Sequence, residues 1–197
     1  EDPSFEMYVM LGAWIDCLNA WTNKIPNHHI ESDQNNEEID RAVALAKQYP
    51  GIVKVIAVGN EAMVRWAASY YVQPNVILKW VMHLQDLKKS GELSSDLWIT
   101  SSDDFASWGG GDPSYRTADL EKLIKAVDYV SMHTYPYHNT HYNPGFWRVP
   151  ASENGLTEIE KVTESMLRAK KFATDQFYEV QKYVESVAKD KPVHIGE

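Results

Sequence analysis

The residues best placed for chemistry are two glutamates, Glu61 and Glu197, each of which follows a glycine at the end of an apolar run. The run 52–58 has five β-branched residues and stops at Gly59-Asn60-Glu61, while Pro192-Val193-His194-Ile195 stops at Gly196-Glu197. Such a run reads as a strand buried on both faces, as in a parallel sheet covered by helices. Parallel α/β folds keep their chemistry at the carboxyl ends of the strands. No other acid in the chain directly follows a strand and a glycine. Paired carboxylates suffice to cleave a glycosidic bond: one protonates the leaving oxygen, the other attacks or activates water. The alternative is that each is a surface glutamate on a loop.

The elements that must position this pair alternate regularly. Strand runs at 8–16, 52–58, 97–100, 129–132 and 192–197 are separated by helical patterns. Ser, Asp and Asn at 32–36 offer N-caps to a helix with Ile39, Val43 and Ala46 on one face, ended by Pro50-Gly51. Pro74 opens a second helix that Gly91 closes, with Ile77, Trp80, Val81, Leu84 and Leu87 in period. A short helix carries Leu120, Leu123, Ile124 and Val127. A last helical stretch, broken at most once, covers about 157–189, with Ile159, Val162, Met166, Phe172, Phe177, Val180, Tyr183 and Val187 on its buried side. The alternation predicts right-handed βαβ units, a parallel sheet and a single domain over 1–197. The turn after Ile15 is Asp16-Cys17-Leu18-Asn19, which lacks the glycines of a dinucleotide-binding sheet. Polar and aromatic residues at every strand end fit the rim of a barrel better.

The net charge of −9 argues against nucleic acid or an anionic membrane as partner. No segment approaches a membrane-spanning length, and the opening Glu1-Asp2-Pro3 carries no signal-peptide pattern. The single cysteine, Cys17, reads as a gap-filler behind a strand. Seven Trp and eleven Tyr outnumber five Phe. A flat face with a polar edge suits a wet groove for a hydroxyl-rich ligand, although part of this excess must be core.

Taken in order, Val58-Gly59-Asn60-Glu61, His133-Thr134-Tyr135-Pro136-Tyr137 and Ile195-Gly196-Glu197 resemble glycoside hydrolase family 17, the β-1,3-glucanase-like enzymes. These belong to a clan of (β/α)8 barrels with catalytic glutamates on strands four and seven. The resemblance implies an α/β fold in which this chain supplies the third to the seventh strands of an incomplete TIM barrel. It implies Glu61 as general acid/base, Glu197 as nucleophile, Asn60 on the sugar 2-hydroxyl, and Tyr135 holding Glu197 or the reacting sugar. It also implies a β-glucan substrate, no cofactor and an extracellular or periplasmic parent enzyme. The family's first two strands and its eighth have no counterpart here. That predicts two exposed sheet edges and homo-oligomers formed through them.

Trp14, Trp66, Trp108, Tyr135, Tyr137 and Trp147 fall at strand ends or in the loops after them, where a sugar ring stacks well on an aromatic face. Some of them must instead cap the core. Asp104 is expected to bond sugar hydroxyls, although Ser101-Ser102-Asp103-Asp104 also suits a turn. His133 is expected to form a hydrogen-bonding wall of the sugar site. The spacing of His133, His138 and His141, like the pair His28-His29, does not form a zinc pattern, so no metal is expected. The rival to a working hydrolase is a glycan-binding or structural barrel fragment that fails to bring its carboxylates together.

Overall fold

The structure, a computed structural model, describes residues 6–137 and 149–197. Strands β1 (Val9–Ala13), β4 (Val53–Asn60), β5 (Trp98–Asp104), β6 (Val130–His133) and β7 (Val193–Ile195) form one sheet in that order, with every neighbouring pair parallel. Strands in chain order joined by right-handed crossovers put every connecting helix on the same face. The helices are α1 (Gln34–Gln48), α2 (Pro74–Ser90), α3 (Ala118–Ala126) and α4 (Glu158–Val187). On the covered face Ile56, Val58, Ile99, Val130 and Met132 pack with Ile39, Ile77, Val81, Leu84, Leu120, Ile124 and Val180. Each fully buried side chain of this size stabilises the fold by roughly 1.5–3 kcal/mol. Cys17 is buried in this cluster as a free thiol.

Local chemistry sets most of the boundaries. Pro74 occupies the first turn of α2, and Gly91 ends it in the left-handed region at φ 81. Thr157 and Glu160 form a reciprocal capping box at the start of α4. The expected cap of α1 is different: Asp33 already has helical dihedrals, so its carboxyl makes no cap bond, and Ser32 Oγ accepts from Gln34 N instead. Asp128 fastens α2 to the sheet, accepting from Ile99 N at 2.6 Å and from Lys88 Nζ at 2.8 Å.

The polar segment after β1 forms an antiparallel ribbon of β2 (Cys17–Leu18) and β3 (Asn27–Glu31). One expectation about packing is corrected. Helix α4 runs unbroken for 30 residues, and Ile159, Val162 and Met166, expected on its buried side, are exposed; Val180 and Val184, further along, are buried. The uncovered sheet face carries Met10, Trp98 and His194, all exposed, with Trp98 and His194 each against the Tyr129 ring.

Candidate active site

The carboxyl ends of β4, β6 and β7 converge. Beyond β4, Gly59 turns at φ 81, and a Cβ there would lie 2.8 Å from Ala62 Cβ, so only glycine fits. Glu61 itself sits at φ 46, a left-handed conformation uncommon for a residue with a side chain. Three hydrogen bonds hold that kink. Glu61 N donates to Ser102 O at 2.8 Å, Met63 N to Asp103 Oδ2 at 2.7 Å, and Val72 N to Ala62 O at 2.7 Å. Asp103 is completely buried; desolvation, helped by the Asp104 charge, pushes its carboxyl up to about 7 against the pull of its backbone donors.

Gly196 brings β7 down onto a polar floor. A Cβ at that position would stand 2.3 Å from Ser131 Oγ and 3.2 Å from Ser102 Oγ. The strand end is fixed by Gly196 N donating to Met132 O at 2.8 Å and Thr134 N donating to Glu197 O at 2.9 Å. Thr134 Oγ1 in turn donates to Gln176 Oε1 of α4 at 2.6 Å.

Between the two glutamates stands His133, its side chain completely buried. Its Nδ1 lies 3.2 Å from Glu61 Oε1 and 3.8 Å from Glu197 Oε2, and its Nε2 lies 2.6 Å from Ser102 Oγ. An ionised carboxylate only accepts, so with Glu61 ionised Nδ1 carries the proton and Nε2 accepts from Ser102. With Glu61 protonated, both bonds reverse. Tyr135 OH donates to Glu197 Oε2 and lies 3.3 Å from His133 Nδ1. Burial first, then the bond to Glu197 and the charge of Glu61, hold its phenol far above the usual tyrosine range, so it stays a donor. Oxygens of Glu61 and Glu197 and a nitrogen of His133 all lie within 4.8 Å of one another. That spacing would also admit a divalent cation. Two carboxyl groups this close could face one acetal linkage, one against its bridging oxygen and the other against its anomeric carbon.

The remaining expected residues separate into several environments. Trp14 and Trp66 are exposed on the loops after β1 and β4, and Tyr137 is exposed after β6. Asn60 is half-buried and pairs in register with Ser102. Trp108 is not on the surface: it is 0% exposed, and its Nε1 donates to Ser131 O at 2.9 Å, so its indole braces the floor from within the core. His133 is too deeply buried to form a sugar wall and instead bridges the carboxylates. Asp104 Oδ1 accepts from Ser107 N at 2.7 Å, the bond of a turn cap. Trp147, His138 and His141 lie outside the described residues. His28 stacks on Tyr71 at 3.7 Å and contacts its carbonyl through Nδ1 at 2.8 Å, a structural role. Sequence reasoning did not single out Ser102 and Ser131. Their signal was the small polar residues at alternate positions of β5 and β6, the face on which His133 lies.

The fold is a parallel α/β sheet, and two carboxyl groups meet at its carboxyl-end rim, a pair able to give and to accept a proton. No protein-family model matches the chain, and no curated protein matches it. Among solved structures it is similar to an endo-laminarinase from Formosa Hel1_33_131, with a TM-score of 0.95 and 64% sequence identity over 99% of this chain. The match covers 50% of that protein, so this chain spans about half its length.

Proposed function

We propose that residues 1–197 form one domain of a retaining β-1,3-glucan hydrolase of the glycoside hydrolase family 17 type, contributing the third to seventh strands of a TIM barrel. The observation that carries this reading is the approach of the two carboxylates, with oxygens within 4.8 Å. Retaining enzymes hold their carboxyl groups about 5–5.5 Å apart, and inverting ones leave about 6.5–9.5 Å for a water. The likeness to an endo-laminarinase supplies the substrate class.

Glu61, protonated, gives its proton to the departing glycosidic oxygen while Glu197 attacks the anomeric carbon. The bond to the leaving sugar breaks as the glycosyl–Glu197 ester forms. Glu61, now ionised, accepts a proton from water, which attacks the same carbon and frees Glu197. A second sugar in place of that water makes the same site a transglycosylase. His133 follows the proton on Glu61 by exchanging its tautomer against Ser102, and Tyr135 keeps one oxygen of Glu197 turned toward the ring. Asn60 bonds the sugar 2-hydroxyl, and Trp14 and Trp66 offer stacking faces. β1 and β7 form the edges of the sheet, and a second copy of the chain pairing there would shield them.

Reducing-sugar release from laminarin by this chain and by Glu61→Gln, with size-exclusion chromatography of the same samples, tests the reading. Release by the wild type that disappears in the variant is expected. A folded wild type that binds laminarin without cleaving it would instead establish a glycan-binding fragment.

A further inference from the structure

Beside the carboxylate pair lies a second constellation that the chemistry above does not use. Asp16 follows β1, whose last residue Ala13 pairs with Val58, so it emerges next to the Gly59–Glu61 turn. Its carboxylate is mostly buried and accepts one bond from each of two indoles: Trp14 Nε1 reaches Oδ1 at 2.9 Å and Trp21 Nε1 reaches Oδ2 at 3.1 Å. The Trp21 ring is stacked on Tyr70, with centroids 4.7 Å apart and planes at 21°, and Trp14 lies 6.0 Å from the same ring.

The support beneath is rigid. Asn35 accepts from Asp16 N at 3.0 Å and donates to Asp16 O at 2.8 Å, and Ser32 N donates to the same carbonyl at 3.0 Å. The indoles themselves face water: Trp14 is 44% and Trp21 62% exposed. Trp21 also adopts φ 59, a backbone conformation costly for so bulky a residue. Burial of apolar surface does not explain an arrangement that desolvates a carboxylate and strains a backbone to hold two large rings at the surface. The site also lies near the reacting groups, since the negative charges of Glu61, Asp103 and Asp16 add to burial in holding the Tyr70 phenol above its usual range.

We infer that Trp14, Trp21 and Tyr70 form a sugar-stacking subsite, with Asp16 as the positioning residue that locks both indoles. This rests on the β-1,3-glucan reading and adds where a ring away from the cleaved bond is held. The ligand is a neutral glucose unit that presents its C–H face to the aromatics and its hydroxyls to water. Asp16 does not touch the sugar; it fixes the angle between the two indoles, so that the surface need not be ordered when the ligand arrives.

Binding of a β-1,3-linked glucose hexamer, followed by tryptophan fluorescence and calorimetry, tests this in the wild type, Trp21→Ala, Asp16→Ala and the double variant. Trp21→Ala is expected to weaken binding about tenfold, the upper range of an aromatic stacking contact. Asp16→Ala is expected to weaken it several-fold, to lower the fluorescence anisotropy of the indoles, and to have almost no further effect once Trp21 is gone. Trp21 is exposed, so Trp21→Ala folds and remains decisive if Asp16→Ala does not. Wild-type affinity in Trp21→Ala, or full additivity of the two changes, overturns the subsite while leaving the hydrolase reading intact. A wild-type chain that binds no hexamer removes the substrate reading and the subsite with it.

Discussion

The two ends of the carboxylate pair are built differently. Glu61 is worked into the body of the sheet: its backbone is held in the left-handed region, its amide bonds to β5, its carboxylate meets a buried histidine, and its side chain is 23% exposed. Glu197 is 47% exposed and hangs on contacts from the segment after β6, with its carbonyl on Thr134 N and its carboxylate on the Tyr135 hydroxyl. The hydrogen bonding at the two ends fits the tasks proposed for them. A group that must both give and take a proton benefits from a partner able to reverse its hydrogen bonds, and His133 with Ser102 is such a partner. A nucleophile needs an oxygen held in place, which the Tyr135 hydroxyl does for Glu197.

This contrast can be broken from either side. Glu61→Gln and Glu197→Gln should each lower kcat on laminarin by roughly 10²–10⁴-fold, at the scale of losing an acid–base or nucleophilic group; steady-state kinetics on the two variants checks this. His133→Ala should follow at about 10²-fold in kcat with KM nearly unchanged, because it misplaces reacting groups without removing one. Tyr135→Phe should cost less, about tenfold, the value of one hydrogen bond to a charged group. Equal losses in those two variants would erase the distinction between the ends.

The floor offers a steric test. Gly196→Ala puts a methyl against Ser131 Oγ, and overpacking of this kind costs about 1–3 kcal/mol. A domain of this size should then melt about 2–4 °C lower per kcal/mol, and Ser131→Gly in the same chain should recover part of the loss in a thermal melt. The smallest effect concerns Asp103. Burial, with the Asp104 charge beside it, pushes its carboxyl up to about 7 in the folded chain, against about 3.9 in an unfolded one. Between those values the folded state holds a proton that the unfolded state has lost, so this group's contribution to stability falls as pH rises through that window. The wild type's Tm should therefore decline by a few degrees relative to Asp103→Asn between about pH 5 and pH 8. A constant difference in calorimetric scans would contradict the assignment.

Much of this was legible in the chain. Runs of β-branched residues ending in glycine mark β4 and β7, and Pro74 with Gly91 delimits α2, because these signals act within a few residues of where they stand. Other features depend on contacts that sequence order does not reveal. Trp108 reads as a groove aromatic by position, but its indole nitrogen finds the Ser131 carbonyl and the ring turns inward. The period of α4 correctly groups Ile159, Val162 and Met166 on one face, yet period alone does not say whether anything covers that face. Two-residue β2 lies below the length at which alternation can be read. The contact of Trp21 with Tyr70 spans 49 positions, and backbone bonds from Cys17 N to Tyr70 O and from Trp21 N to Ser69 O bring them together.

If Glu61 and Glu197 act as a retaining pair, cleavage keeps the configuration of the anomeric carbon. Proton NMR of laminarin digestion by the wild-type chain, recorded before mutarotation equilibrates the products, tests it most directly. A retaining pair releases the β-anomer of the new reducing end first, and Glu61→Gln is expected to abolish the signal. The α-anomer appearing first, or release undiminished in the variant, would contradict it.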